Sequence, residues 1–331
     1  GFYEGEFGAG LLALGDGEYT PDDLARRQAD WVTPVRAEAW DRVLWTAPPN
    51  SQGYLTAAGA WIAAGLDLPT DPDDAQWAHL TIEAARQAGY DRLDVLHESA
   101  DGAALVEVGR LAARRGAIDP DHAARLGEPP PRPGGTMYLC AVDGDRMGVS
   151  LIQSNAGGFG CGLIVPGVRI FLQNRGIGFS LEPGHPAEYG PGRRPPHTLA
   201  PALVTTPTGE LDRVIGTMGG DSQPQILLQL LARQLAAGQS PGRSIAANRW
   251  ALADPATGSG FSTWQERGRV TVRLEAGAPP WDAALTAKGH RVQRSSSPEA
   301  LFGHAHVIVN EGDRLAGAAD PRAMVGGAAG F

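Results

Sequence analysis

The chain of 331 residues is long enough for one large domain or two small ones, and 42% hydrophobic and 20% charged residues suit an ordinary globular core. A formal net charge of -9 leaves no basic surplus to neutralise phosphates, which argues against a nucleic-acid partner. No apolar run reaches transmembrane length and no leader pattern is visible, so no membrane partner is expected and the location reads as cytoplasmic.

The chain opens in mid-pattern with Gly1-Phe2-Tyr3-Glu4-Gly5-Glu6-Phe7, which looks like the inside of a domain, so a preceding N-terminal portion is expected. The first third reads as mostly helical. Thr20, with Pro21, Asp22 and Asp23, caps a helix running through Leu24 towards Trp31. After the turn Pro48-Pro49-Asn50-Ser51-Gln52-Gly53 comes an apolar helix from Tyr54 to about Ala64. Another helix follows Thr70 and carries Trp77, Leu80, Ile82, Ala84 and Ala85. A third covers residues 103–115, and Asp119-Pro120 opens a fourth. The next stretch, Glu128-Pro129-Pro130-Pro131-Arg132-Pro133-Gly134-Gly135, cannot be regular helix or central strand, because its prolines remove donors and fix φ. It is an exposed linker, either an interdomain hinge or a place where the chain is cut.

Beyond the linker the pattern changes to strands. Residues 136–142 and 147–152 flank a turn at Asp143-Gly144-Asp145 and predict a hairpin. A second strand pair is expected around 162–165 and 170–172, a strong helix over 222–238, and a strand over 269–274. A helix follows Trp281, and a last strand covers 304–310. Strands bracketing helices after a helical start suggest a layered αββα sandwich. Cys140 and Cys161 sit in apolar or glycine-rich surroundings and read as small core residues rather than a disulfide or metal pair. His304 and His306 would share one strand face, but no further ligands accompany them, so neither a metal nor a cofactor is expected. The glycine-rich run at 157–162 lacks the Lys-Ser/Thr of a phosphate loop.

Thr136 follows the linker and Gly134-Gly135. A threonine hydroxyl needs a base to become a nucleophile, and breaking the Gly135–Thr136 bond would create one, the α-amine of Thr136 itself. That amine has an ordinary pKa of about 7.7–8.0, so a neutral fraction exists near pH 7. Glycines at 134 and 135 would allow the turn that an N-to-O acyl shift requires. Gly-Gly-Thr alone equally fits an ordinary strand start.

The downstream motifs narrow the choice. Thr136, Ser154-Asn155, Gly157-Gly158-Phe159-Gly160, Leu172-Gln173-Asn174-Arg175, Phe179-Ser180, Arg194-Pro195 and Gly219-Gly220 resemble, in order and spacing, the small subunit of the γ-glutamyltransferases, members of the N-terminal nucleophile hydrolase superfamily. Phe2-Tyr3-Glu4-Gly5, the 31–36 segment and Pro48-Pro49-Asn50-Ser51-Gln52-Gly53 look like the end of that family's large subunit, and Gly317-Ala318-Ala319-Asp320-Pro321-Arg322 also fits the family. The resemblance implies an α+β fold, the four-layer αββα sandwich, with an N-terminal part missing. It makes residues 1–135 the end of the large subunit, mostly helical, and 136–331 the small subunit. The implied partners are a small-molecule amide and the chain's own two fragments, held as a heterodimer after cleavage.

By the same resemblance Thr136 is the nucleophile and Gly135 the residue left of the cut. Ser154 takes the place of a threonine that hydrogen-bonds the nucleophile. Gly219 and Gly220 offer backbone N–H groups to an oxyanion, and their other reading is a strand-to-helix turn with Asp221 or Ser222 capping the helix near Pro224. Asn155, one place from the family's substrate-contacting asparagine, and Asn174 are expected to contact substrate.

The departures from the family pattern concern specificity. The acid that grips the substrate's α-amine would stand just before Phe179-Ser180, where this chain has Gly178. The paired serines after Arg-Pro are replaced by His197 and Thr198, and Arg175 replaces a neutral glutamine. Arginine offers a bidentate fork to a carboxylate, although a surface ion pair is an equal reading of Arg175. The pattern resembles a side branch with oxamate amidohydrolase-like and cephalosporin acylase-like members. The expected activity is transfer of a γ-glutamyl or related carboxylate-bearing acyl group, through acyl-Thr136, to water or an amine. The alternatives are an oxamate-type or cephalosporin/glutaryl acylase-type amidase, and, in another class, an inactive binding or scaffold homologue.

Overall fold

In the computed structural model, residues 2–126, 135–253 and 270–331 are described; the linker ahead of Gly135 and residue 269 of the expected strand lie outside them. The elements in chain order are α1 (Glu6–Leu14), α2 (Pro21–Ala25), β1 (Val35–Ala39), β2 (Arg42–Thr46), α3 (Tyr54–Ala64), α4 (Ala75–Gly89), α5 (Arg92–Val95), α6 (Gly102–Leu105) and α7 (Val108–Gly116). Then come β3 (Gly135–Val142), β4 (Gly148–Ala156), β5 (Ile164–Val165), β6 (Ile170–Phe171), β7 (Ala202–Thr205), β8 (Leu211–Thr217), α8 (Gln223–Leu231) and α9 (Pro241–Ala246). The last are β9 (Trp250–Ala253), β10 (Thr271–Leu274), α10 (Asp282–Ala287), β11 (Arg291–Arg294), β12 (Ala305–Asn310) and β13 (Leu315–Ala319).

One antiparallel sheet of six strands, in the order β1-β2-β7-β8-β12-β13, organises the molecule. Helices α3 and α8 cover one face of it, with α4 packed against both, and the β3–β4 hairpin packs on the other, against β8 and β12. Three layers of the expected sandwich are therefore formed by the described residues. The outward face of the hairpin, with Met137, Leu139, Val149 and Leu151, is exposed. A smaller sheet, β11-β10-β9, lies beside α8, whose Gln225 and Gln229 bond the backbone of β9. The segments before and after residue 135 share the large sheet, because β2 pairs with β7 over four residue pairs.

Helix α3 forms where its sequence demanded, and it is apolar on every side because it is buried on nearly every side, Tyr54, Ile62 and Ala63 included. Helix α8 follows the expected position, then ends in a π-helical turn over 232–236. Other expectations need correction. The first third is not simply helical: β1 and β2 form a hairpin on the edge of the main sheet. The helix opened by Thr20 keeps its capping box but stops at Ala25, since it buries no residue that would hold it together. The helix expected over 103–115 is two, because Glu107 accepts the amide of Arg110 and starts α7 afresh. Asp119-Pro120 opens no helix; the Asp119 carboxylate takes the amides of Asp121 and His122 in a local turn. The strand of residues 304–310 is not the last, since β13 follows and pairs with it. Cys161 is exposed and Cys140 only half-buried, so neither is a core residue; both are free thiols.

The C-terminal Asp320 anchors this frame. Its Oδ2 accepts from Arg249 Nη2 at 2.7 Å and from the Ala305 amide at 2.8 Å, while Oδ1 accepts from Arg322 at 3.0 Å. Arg249 is fully buried and also donates to the carbonyls of Phe302 and Ile245. Burial raises the Asp320 carboxyl, but Arg249, the Ala305 amide and Arg322 outweigh it and hold its pKa below the ordinary carboxylate range. Asp320→Ala would strand the Arg249 charge in the core, and the expected loss is about 3–5 kcal/mol in a urea unfolding curve. Because the folded pKa is depressed, the wild-type contribution is complete above the unfolded value of about 3.9 and fades as pH falls through the folded one. An Asp320→Ala protein as stable as wild type at pH 7 would contradict this.

Candidate active site

Gly135 and Thr136 are the first residues of β3, with a register shift between them. From there the ladder pairs Thr136 with Ser154, so both side chains leave the hairpin on the same face, and Thr136 Oγ1 donates to Ser154 Oγ at 3.0 Å. Ser154 Oγ also accepts the amide of Ala156 at 3.0 Å, which fixes the hydroxyl beneath the threonine. The same face carries Tyr138, whose hydroxyl lies 3.0 Å from Ser150 Oγ and whose ring sits on Gly216 of β8. A Cβ at Gly216 would come within 2.1 Å of that ring, so only glycine permits this approach of hairpin to sheet.

The loops after β4 bring up Asn155 and Asn174. The Asn174 amide donates to the Asn155 carbonyl at 3.0 Å, and its side-chain oxygen accepts from Gly157 at 2.8 Å. Asn174 is thus spent on loop structure, while the Asn155 side chain has a weak contact with Gln153 at 3.4 Å.

Gly219 and Gly220 connect β8 to α8 with φ of 139° and 58°, values that a residue with a side chain rarely adopts. Sequence reasoning offered Ser222 as an N-cap, but its hydroxyl points backward, 2.7 Å from the Gly219 carbonyl and 2.6 Å from that of Leu301. The Ser222 amide donates to the same Gly219 oxygen at 3.1 Å. With that carbonyl fixed, planarity of the peptide turns the Gly220 N–H the opposite way. Among the described residues nothing accepts the Gly219 or Gly220 amide, which leaves two donors at a helix start for an incoming negative charge.

A third group forms around a cavity of about 680 Å³, whose walls include Arg92, Arg175, Phe179, His197 and Thr198. Thr136 and the two glycines do not line it, but one side chain ties it to the glycine turn. Gln52, fully buried, donates through Nε2 to the carbonyls of Thr198 and Gly220 at 2.9 and 3.0 Å. Arg175 reaches Thr198 Oγ1 at 3.2 Å, and Arg92 Nη2 lies 3.4 Å from Asp221 Oδ1. Burial brings the Arg175 pKa down to about 10, with Asp221 acting against that fall. Sequence reasoning missed Gln52, Arg92 and Ser222 as site-building residues. Gln52 had a signal, because it lies in the turn motif that carried the family resemblance.

His197 is held by its backbone, which donates to the Asn50 carbonyl and accepts from Gln52, and its Nδ1 takes the Leu199 amide. Burial, and then the charges of Arg175 and Arg92, push its pKa down to about 4. The ring is expected to stay neutral through the physiological range, with an NMR titration midpoint near 4; a midpoint near 6.5 would contradict this environment.

The chain is 34% identical to the oxamate amidohydrolase proenzyme of Klebsiella pneumoniae subsp. pneumoniae, over 100% of this chain and 62% of that protein. It is 30% identical to the glutathione hydrolase-like YwrD proenzyme of Bacillus subtilis, over 97% of this chain and 61% of that protein. The crystal structure of cephalosporin acylase from Bacillus halodurans superimposes with a TM-score of 0.83 and 31% identity, over 97% of this chain and 58% of that one. The chain therefore spans roughly three fifths of each of these relatives. The family model described as gamma-glutamyltranspeptidase matches residues 1–330, and the chain belongs to that family.

Proposed function

We propose that this chain is the nucleophile-bearing part of a self-processing amidase whose acyl substrate carries a carboxylate. The observation that carries the reading is the Thr136–Ser154 hydrogen bond at the start of the strand after Gly135. In the first step Thr136 Oγ attacks the Gly135 carbonyl carbon, the peptide nitrogen leaves as the α-amine, and water hydrolyses the resulting ester. The freed amine then takes the hydroxyl proton as Oγ attacks the substrate amide. The oxyanion that forms is met by the Gly219 and Gly220 N–H groups, and the substrate's amine departs with the proton held by the α-ammonium. Water, or an acceptor amine, resolves the acyl-Thr136 ester.

Between acyl groups, one observation favours the oxamate and acylase type over γ-glutamyl specificity. A Cβ at Gly178 would lie 2.2 Å from the Pro196 carbonyl, so no acid that could hold an α-ammonium fits there. Processing would leave the two fragments interlocked. The β2–β7 pairing crosses the cut, as does a buried 2.8 Å contact between His79 Nδ1 and His290 Nε2. That supports a heterodimer of the chain's own pieces.

The test is acyl trapping in the full-length protein. Mixing with oxamate or a glutaryl amide and quenching should add the acyl mass to the fragment that begins at Thr136, and Thr136→Ala should show none. Ser154→Ala is expected to slow turnover about tenfold, the worth of one neutral hydrogen bond at about 1.4 kcal/mol. Turnover with no adduct and no dependence on Thr136 would sink the proposal.

A further inference from the structure

The cavity beside the glycine turn gathers two buried or half-buried guanidiniums. Arg92, carried by α5 ahead of the linker, and Arg175, on the turn after β6, both line it. The carboxylate that reaches them is Asp221, 3.4 Å from Arg92 and also favouring the Arg175 cation. Asp91, next to Arg92 in the chain, is taken by Arg110 and Arg114 at 2.9 and 2.5 Å. His197 is neutral. Arg92 is only 6% exposed, and its Nε has no hydrogen-bond partner. A buried cation short of acceptors costs free energy unless an anion meets it.

The inner walls include the apolar Leu93, Leu96, Ile177 and Phe179, while Ser180, His185 and the exposed carboxylate of Glu182 also border the cavity. Such a site suits a carboxylate on a short hydrocarbon chain. It disfavours a zwitterion, whose ammonium would face two guanidiniums, with Asp221 already engaged by them and Glu182 out in solvent.

We infer that Arg92 is a second specificity-determining residue, which with Arg175 holds the far carboxylate of an acyl group lacking an α-amine, as in the monoamides of small dicarboxylic acids. The inference rests on the amidase reading for the identity of the acyl group, but the pocket can be tested without catalysis. Arg92 belongs to the segment before the cut and Thr136 to the one after it, so substrate selection would require both fragments.

The experiment titrates the processed full-length protein calorimetrically with oxalate, succinate and glutarate, and with valerate and glutamate as controls. At least one dicarboxylate is expected to bind ten times more tightly than both controls, and Arg92→Gln should weaken it tenfold or more. With the matching monoamide as substrate, Arg92→Gln should raise KM at least tenfold more than it raises KM for valeramide, whatever loss the two substrates share. Should the variant fail to fold, the wild-type preference for dicarboxylate over valerate and glutamate still decides the matter. Equal binding of all five acids, or a variant that loses valeramide turnover as much as monoamide turnover, would overturn the inference. Dicarboxylate binding that needs Arg92, in a protein that cleaves no amide, would uphold the pocket and sink the amidase reading instead.

Discussion

The register of the β3–β4 hairpin is the constraint on which the site depends. Side chains alternate along a strand, so a slip of one residue would send Thr136 to the outer face and put Met137 in its place. The register is held at several points on the inner face. Tyr138 is locked between Ser150 and Gly216, and a Cβ at Gly148 would press within 2.8 Å of Val214 on β8. Thr136 then meets Ser154 because the packing of hairpin on sheet leaves no other alignment.

The Gly219-Gly220 turn, proposed to meet the oxyanion, is fixed by a different device, carbonyls occupied so that amides are left over. Ser222 holds the Gly219 oxygen through both its hydroxyl and its amide, and Gln52 holds the Gly220 oxygen. Gln52 belongs to the segment before the linker, yet it positions a turn that lies 168 residues further along the chain. Arg92 makes the same crossing to Asp221. The segment ahead of Thr136 is thereby a structural part of the site, and the shared sheet explains how it can remain so after a cut.

Much of this was legible from the residues. The β3–β4 hairpin, α3 and α8 follow from strong periodicity and from turn residues that need no tertiary help. The β1–β2 hairpin was hidden by its turn. Trp40 and Asp41 adopt φ of 50° and 55°, the conformation of a tight two-residue hairpin, but without the glycine that normally signals it. The split between α6 and α7 turned on one side chain, Glu107, capping its own new helix. Ser154 opposite Thr136, and the two glycines in the turn before α8, lie where local motifs put them. Gln52, Arg92 and Ser222 act through partners distant in sequence or through a hydroxyl's direction, and no local pattern records either. Asn174, by contrast, fitted a motif but is engaged in loop structure.

The central claim is that the Gly135–Thr136 peptide is broken by Thr136 itself. Intact mass combined with N-terminal sequencing of the purified full-length protein, beside Thr136→Ala, tests it most directly. The account predicts two wild-type fragments, the second beginning at Thr136, and one unbroken chain in the variant. A wild-type chain that stays whole after prolonged incubation, or a variant cut at the same bond, would contradict it.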